Sequence, residues 1–352
     1  MIAMEIAAST RSSNVAISVV LIVPNQRETV LRTLDCLRAQ TAMHRMEIVL
    51  FGPSMAVLET LREDLDDFGG YQLVAWSRMR NMAAARGEAF RIARAPLVAH
   101  AEDHCFPDPG WAEAFIDAFA PDAHGATPVA AGPLMVNANP RSLWSWAAFT
   151  LHFAHAAFPL TRGTVDFLAT HNTCFRKDAA LALGPALDSG IEMEILLQNR
   201  LRSEGHTLFH ETRAVTRHIN VSRPLPLLKA SFYGGWLFST VRMREENWTV
   251  GRKLFQLAVS PLVPLLQLKR RWSALGRIAG ERRLLPLVVF PALAIATMHT
   301  VGEVIGIVFP RDTVIEDYSN FENTRMRFVR PEERALLYPE AAAPAHRDPV
   351  QV

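Results

Sequence analysis

This 352-residue sequence contains few cysteines and has almost no net charge. It contains three cysteines, far apart and without a CxxC pair, which argues against a disulfide framework or a zinc ribbon and favours a reducing compartment. The 37 Lys and Arg residues nearly balance the 35 Asp and Glu residues, and a net charge of +2 argues against a nucleic-acid-binding protein. The first fifteen residues show no basic segment followed by an apolar core, so we expect no secretory signal.

The charges are unevenly distributed along the chain. Residues 224–310 contain eleven Lys or Arg and four Glu, a net charge of +7, which leaves −5 for the remainder. The same segment holds the two most apolar stretches, Leu254–Leu268 and Leu284–Phe309, on either side of a basic linker with a tryptophan, Lys269–Arg283. This combination is typical of a module that contacts an anionic membrane surface.

The length of the apolar stretches and their prolines bear on how the module meets a membrane. The first stretch is shorter than the about 20 residues of a spanning helix and contains Pro261 and Pro264. The second is long enough, but two prolines, His299 and Glu303 interrupt it. We expect interfacial or re-entrant helices at the cytoplasmic side of the cell inner membrane, with the basic linker facing the cytoplasm. Two buried core helices of a soluble domain are the alternative.

The first two-thirds of the chain alternates between strand and helix patterns. Apolar or β-branched segments predict four strands, at Val15–Val23, Met46–Phe51, Tyr71–Trp76 and Pro96–Ala101. Helical spacing predicts helices at Glu28–Gln40, at Arg80–Ala93 and after Asp108. This alternation predicts an α/β fold with a doubly wound, mostly parallel sheet flanked by helices. In such sheets ligands bind beyond the carboxyl ends of the strands.

The alternation weakens after Ala130. We expect an aromatic helix within Arg141–Leu168, a helix at Glu192–Glu204, and a short strand pair leading to His218. The patterns divide the chain into three parts: an α/β domain over 15–222, a helical, apolar and basic membrane-associated module over 223–310, and a tail over 311–352 whose end we expect to be disordered.

The segment His100–Cys105 is the strongest candidate for chemistry, because it follows a predicted strand and contains two carboxylates, two imidazoles and a thiol. On an extended backbone His100, Glu102 and His104 would share one face, and Asp103 and Cys105 the other. Burying such groups is costly unless they bind a cation or each other. The oxygen and nitrogen donors suit manganese or magnesium beside phosphates, or zinc. A solvated polar turn is the alternative.

The order and spacing of several segments resemble the inverting family 2 glycosyltransferases of the bacterial membrane-associated type. The segments are SVVLIVPNQRETVLRTLDCLRAQ, EIVLFGPS, AAARGEAFRIARAP, AEDHCFPDPGWAEAF, HNTCFRKDAALALG and IEMEILLQNRLRSEGHTLFHETRAVTRH, which together cover about residues 15–218. The resemblance implies a GT-A fold, a nucleotide-sugar donor, a divalent cation (Mn or Mg) and a glycan or lipid-linked acceptor.

The resemblance also implies roles for individual residues. Glu194 falls at the position of the catalytic base, with Glu192 as the runner-up, although both could be acids that favour a helix N-terminus. The residues expected to contact the donor are Pro24, Asn25, Glu28, Arg86, Glu102 and Asp103. Those expected to contact the metal are Glu102, Asp103, His104 and His218. The acceptor side would include His171, Asn172 and Arg176.

The sequence departs from the family pattern at two places. After the second strand, where the family usually has Asp-Asp-Gly-Ser, this chain has Phe51-Gly52-Pro53-Ser54 and lacks the aspartate that recognises the base. The Asp-x-Asp metal motif is altered to Glu-Asp-His at residues 102–104, which leaves metal dependence in question.

Three hypotheses about function follow. The first is a transferase that moves a sugar from a nucleotide-sugar to a lipid-linked or membrane-proximal glycan, with inversion, at the cytoplasmic membrane face. The second is a degenerate, non-catalytic domain that binds nucleotide or glycan and recruits partners at the membrane. The third is a zinc hydrolase built on the His100–Cys105 segment, although hydrolases usually draw zinc ligands from separated elements.

Overall fold

The computed structural model describes residues 4–9, 14–23, 27–76, 82–120, 127–169, 172–278 and 285–337, which form a ten-stranded sheet, helices on both of its faces, and a C-terminal group of helices. The strands are β1 (Glu5–Ala8), β2 (Ile17–Ile22), β3 (Met46–Gly52), β4 (Gly70–Ala75), β5 (Leu97–His100), β6 (Cys105–Pro107), β7 (Ala130–Asn137), β8 (Gly163–Val165), β9 (Cys174–Arg176) and β10 (Leu208–His218).

The helices divide between the sheet region and the C-terminal group. Around the sheet lie α1 (Arg27–Arg38), α2 (Met55–Glu59), α3 (Met82–Ile92), α4 (Trp111–Ala118), α5 (Leu143–Phe153), α6 (Lys177–Ala182), α7 (Pro185–Gly190) and α8 (Glu194–Ser203). The C-terminal group contains α9 (Pro224–Glu245), α10 (Val250–Val259), α11 (Val263–Ile278), α12 (Leu285–Val308), α13 (Val314–Asn323) and α14 (Pro331–Leu337).

The strand order is β1-β4-β3-β2-β5-β9-β7-β10-β6, and β8 pairs with β10. Strands β4, β3, β2 and β5 are mutually parallel, and β7 and β10 are parallel to each other. Strands β1, β6, β8 and β9 run antiparallel to their partners. The predicted α/β fold with a mostly parallel sheet is therefore confirmed.

Both faces of the sheet are covered, which explains why its central strands read as continuous apolar runs. On one face, Val19 of β2 belongs to a core that includes Leu34 of α1 and Trp111 of α4. On the other face, Val20 belongs to a second core that includes Phe90 of α3. Because alternate residues of each strand point to opposite faces, both sets must be apolar.

The short strand pair predicted before His218 is wrong. A single eleven-residue strand, β10, covers this segment, and its register against β7 shifts between Glu211 and Val215. Glu211 is buried at the irregularity and pairs with Arg162 at 2.7 Å. A buried charged residue with a β-bulge gave the segment the appearance of two strands separated by a turn.

The predicted tail over 311–352 contains α13, a 3-10 turn at Arg325–Phe328 and α14, and residues 338–352 lie outside the described residues. Val314 and Ile315 of α13 join the same apolar core as Leu237 of α9 and Leu197 of α8. The division of the chain into three parts stays a prediction. What the structure adds is that α9 and α13 pack directly against the sheet domain.

Helices α9 and α12 pack closely because glycines face each other across their interface. A Cβ atom on Gly302 would lie 2.0 Å from the carbonyl oxygen of Phe232, and one on Gly235 would lie 1.9 Å from that of His299. Small residues allow two helix backbones to approach this closely, in soluble proteins and in membranes alike.

The C-terminal helices also carry much of the exposed apolar surface. Within the described residues, 12 of the 17 large hydrophobic side chains that are exposed lie between Val250 and Phe309. The stretch Leu254–Leu268 is divided between α10 and α11 by a 3-10 turn at Ser260–Leu262. By length and composition alone, one described helix could cross a membrane, over Leu287–Val308, and 39% of its most apolar window is buried inside the protein.

The tight α9–α12 contact predicts that Gly302→Ala lowers the free energy of unfolding by about 2 kcal/mol, since overpacking a close contact typically costs about 1–3 kcal/mol. Urea unfolding followed by circular dichroism measures this. The control is Gly251→Ala in α10, where an added Cβ meets no atom within 4 Å. We expect this control to keep or raise stability because alanine favours helix. Equal effects of both substitutions would contradict the proposed packing.

Candidate functional site

The candidate site lies where several strands end. Strand β5 ends at His100, the chain turns at residues 103–104, and β6 begins at Cys105. The antiparallel pairing of β6 with β10 places His218, the last residue of β10, directly opposite Cys105. The sheet topology thus brings together residues that are more than one hundred positions apart in sequence.

Four side chains at this point form a group that could hold a metal ion. They are Glu102, His104, Cys105 and His218, all buried, and one potential ligand atom from each lies within 4.8 Å of all the others. Burial of Glu102 and His104, which are 8% and 3% exposed, shows that the alternative of a solvated polar turn is wrong. Such a buried group requires a cation or mutual hydrogen bonds.

The predicted alternation along an extended His100–Cys105 segment is also wrong. The turn, closed by a hydrogen bond from the Cys105 amide to the Glu102 carbonyl (3.1 Å), brings Cys105 to the side of Glu102 and leaves His100 elsewhere. The Cys105 thiol donates to Glu102 Oε2 at 3.3 Å. Burial, with a further contribution from Glu102, raises the pKa of Cys105 well above its usual value, so the group is a thiol at neutral pH.

Neighbouring groups orient both imidazoles of the cluster. Asp103 lies outside the ligand group, and its carboxylate lies 2.9 Å from Nδ1 of His104 while accepting a hydrogen bond from Thr29 of α1 at 2.5 Å. Nδ1 of His218 lies 3.1 Å from Oδ1 of Asn220. An Nδ1 proton donated to these oxygens leaves Nε2 of each ring as the acceptor, which is the arrangement of metal-binding histidines.

Arg325 contacts both of these Nε2 atoms. Its Nη1 lies 2.7 Å from Nε2 of His104 and 3.3 Å from Nε2 of His218. Nη1 also lies 3.1 Å from a carboxylate oxygen of Glu322. Burial alone would lower the pKa of Arg325, but Glu322 and Glu102 raise it above its ordinary value, so the guanidinium stays charged.

A second buried carboxylate, Glu194, begins helix α8. Its Oε1 lies 3.2 Å from Nη1 of Arg86 and 3.5 Å from Nδ1 of His100. Arg86, on α3, also lies 3.5 Å from Glu102 and so bridges the two carboxylates. Burial lowers the pKa of His100 despite the opposing effect of Glu194, so the imidazole is neutral at pH 7.

Some of these groups border a cavity of about 210 Å³ between the sheet domain and the C-terminal helices, whereas the four residues of the possible metal site do not line it. Its polar wall includes Arg86, Glu194, Glu322 and Arg325. Its apolar wall comes mainly from α9 and α13 and includes Leu227, Leu237, Ile315 and Phe321. A wall with a few polar groups that faces an apolar wall is a common form of ligand site.

The remaining candidates lie in different places. Glu192 is partly exposed, borders the cavity and pairs with Arg244. Asn172 is buried near Cys105. Arg176 pairs in register with Leu97, at the amino end of β5, so the structure does not bring it to the site.

Some predicted site residues cannot be placed. Pro24, Asn25 and His171 lie outside the described residues, and of Glu28 only the backbone is described.

Comparison with known proteins identifies the domain. Residues 18–183 match the family described as Glycosyl transferase family 2. This segment is a family 2 glycosyltransferase domain. The predicted family is therefore confirmed for this segment, and the match supports a glycosyltransferase. The match includes Arg86 and residues 102–104 but ends before Glu194 and His218.

Solved glycosyltransferase structures are similar to the chain at low identity. GalNAc-T7 with UDP, GalNAc and Mn²⁺ is 12% identical over 60% of this chain and 46% of that chain, with a TM-score of 0.44. S. aureus TarS 1–349 in complex with UDP is 14% identical over 82% and 90%, with a TM-score of 0.42. The mannosyltransferase PcManGT from Pyrobaculum calidifontis, with GDP-Man and Mn²⁺, is 14% identical over 88% and 86%, with a TM-score of 0.46. No curated protein matches the sequence.

Sequence reasoning did not anticipate Arg325, which belongs to the segment predicted as a tail. A signal was nevertheless present, because Tyr318, Glu322 and Arg325 recur at helical spacing and all border the cavity. Polar residues at this spacing on a helix usually face solvent, so the pattern alone does not indicate a buried polar site.

The position of Arg86 predicts a large effect of its removal on stability. Arg86→Met leaves the buried Glu102 and Glu194 without this cation, and breaking a buried pair typically costs about 3–5 kcal/mol. The matched control on the same helix is Arg91→Met, whose exposed pair with Asp188 should contribute about 1 kcal/mol or less. Urea unfolding of both variants measures the difference, and similar losses would contradict this assignment.

Proposed function

We propose that the protein transfers a sugar from a nucleotide-sugar to a lipid-linked or membrane-proximal glycan, with inversion, at the cytoplasmic face of the cell inner membrane. One observation carries the proposal most directly. Glu194 borders the cavity with one oxygen held by Arg86, while its Oε2 is buried and makes no hydrogen bond with any described residue. An acceptor hydroxyl would supply the missing donor.

In this proposal Glu194 is the general base. Inversion requires the acceptor hydroxyl to attack the sugar from the side opposite the nucleotide, while its proton passes to Glu194 Oε2 and the diphosphate leaves with the bonding electrons. Arg86 fixes the carboxylate through Oε1. The neutral His100 lies 3.5 Å from Glu194 Oε1 and adds no charge beside it. Glu192 is the weaker candidate, because it already pairs with Arg244.

The residues present fit a divalent cation at the Glu102 cluster. Glu102, His104 and His218 would hold it, and the thiol of Cys105 lies within the same group. A bound cation would neutralise charge on the leaving diphosphate. The two imidazole nitrogens favour manganese over magnesium, which prefers oxygen ligands.

The acceptor and the membrane are inferred from the C-terminal helices. Exposed apolar side chains lie on α10 and α11, among them Leu254, Phe255 and Leu265, and basic residues such as Lys253 and Arg270 lie beside them in sequence. Apolar and basic residues in short helices are typical of interfacial binding to anionic lipid. An acceptor carried by lipid would explain why a transferase has this surface.

The first test is a donor assay with the purified protein and MnCl₂. We expect release of nucleoside diphosphate from one or more UDP- or GDP-sugars, and the absence of release or binding with every donor would refute the proposal. We expect Glu194→Gln to reduce transfer by about 10²–10⁴-fold, the usual contribution of a general base, with little change in donor affinity measured by calorimetry.

Glu192→Gln is the control for the same helix start, and we expect it to retain most of the activity. If Glu194→Gln were as active as the native protein, Glu194 would not be the base. Activity of the native protein that is lost in Glu194→Gln would exclude the alternative of a degenerate, non-catalytic domain.

Membrane association has its own test. Leu254→Glu combined with Phe255→Glu should reduce co-flotation with vesicles of phosphatidylglycerol and phosphatidylethanolamine at least several-fold, because charged side chains replace two apolar ones that are 61% and 66% exposed. Ile6→Glu, at a 47% exposed position on the edge strand β1, is the control and should float as the native protein does. Equal flotation of all three proteins would contradict this membrane surface.

A further inference from the structure

The guanidinium of Arg325 lies at the point on which the two imidazole Nε2 atoms converge. Its Nη1 is 2.7 Å from one Nε2 and 3.3 Å from the other. A zinc ion bound by both rings would lie about 2.0–2.1 Å from each nitrogen. The metal and Nη1 would therefore overlap. Their two positive charges would also repel each other.

Electrostatics explains why an arginine is stable there. Glu102 is buried and Glu322 is 8% exposed, and buried carboxylates are costly unless a cation lies near them. Both glutamates raise the pKa of Arg325. The arginine thus supplies the positive charge that the cluster would otherwise obtain from a metal ion.

Arg325 also differs from the other residues of the cluster in how it is held. It follows α13 in a short 3-10 turn, whereas Glu102, His104 and His218 are held at the ends of sheet strands. The turn is attached through Phe328, which stacks on Phe321 with ring centroids 4.9 Å apart, and through hydrogen bonds from the amides of Ser222 and Arg223 to the Phe328 carbonyl. The long side chain of Arg325 reaches the cluster from this separate element.

We propose that Arg325 and a divalent cation alternately occupy the site beside Glu102, His104 and His218. Binding of the metal then displaces the Arg325 side chain. This inference rests on the cation site in the proposed function. It adds that the segment after α12 sets the affinity of that site and closes it while no metal is bound.

The test is calorimetric titration of the full chain with MnCl₂ and, separately, ZnCl₂. We expect Arg325→Gln to bind metal at least about tenfold more tightly than the native protein, because a competing positive charge has been removed. Arg327→Gln is the matched control. Arg327 is exposed in the same turn, so this variant should bind as the native protein does.

Two further measurements guard against a variant that does not fold. Glu322→Gln removes a charge that holds Arg325 in place and should also tighten metal binding, by a smaller factor. In the native protein, hydrogen exchange of the amides in residues 314–328 should rise when metal is added, and this rise should be absent in His104→Ala. Equal affinities of Arg325→Gln and the native protein, weaker binding by the variant, or no binding by either would overturn the proposal.

The result of the metal-binding test can be distinguished from the result of the donor assay that tests the proposed function. Tighter metal binding by Arg325→Gln in a protein that releases no nucleotide from any donor would leave the competition standing and refute the transferase proposal. Sugar transfer by the native protein, with the same metal affinity in Arg325→Gln, would support the transferase proposal and refute the competition.

Discussion

The need to neutralise buried carboxylates governs this site. Glu102 and Glu194 lie on different elements, and both are almost inaccessible to water. Arg86 lies between them and contacts each, at 3.5 and 3.2 Å. A buried carboxylate is costly unless a cation is fixed beside it. One arginine on α3 therefore supplies the positive charge beside two buried carboxylates, one proposed to hold the metal and one proposed to face the acceptor.

The fold brings these groups together by its topology. Parallel strands place the end of β5 at the edge where α3 and α8 begin, and the antiparallel β6–β10 pair adds His218 from far along the chain. Neither Asp103 nor Asn220 is a ligand in this group, yet each fixes the orientation of an imidazole. Such supporting contacts hold the nitrogen lone pairs in position before any cation binds, which reduces the entropic cost of binding.

The sequence predicted the parts of the structure that depend on local patterns. Apolar runs identified the central strands, and the acid–imidazole cluster after β5 identified the edge where the site lies. The sequence could not predict the turn at 103–104, which moves Cys105 to the side of Glu102. The expected alternation of side chains between two faces assumes that the strand continues. Nor could it predict that β10 is one strand, since a bulge with a buried charge resembles a turn. Arg325 contacts residues more than one hundred positions away, and its helical spacing with Tyr318 and Glu322 does not by itself indicate a buried polar site.

The C-terminal helices line the cavity and also carry the proposed membrane surface. Their position bears on the nature of the acceptor. Helices α9 and α13 supply most of the apolar wall of the cavity, opposite the wall that carries Glu194. Tight glycine contacts fix α9 against α12, the helix that is long and apolar enough to cross a bilayer. One helix layer therefore contacts the cavity on one side and the apolar helix α12 on the other. A soluble acceptor would gain little from this arrangement, whereas an acceptor with a lipid anchor could keep its apolar part beside these helices while its hydroxyl reaches Glu194.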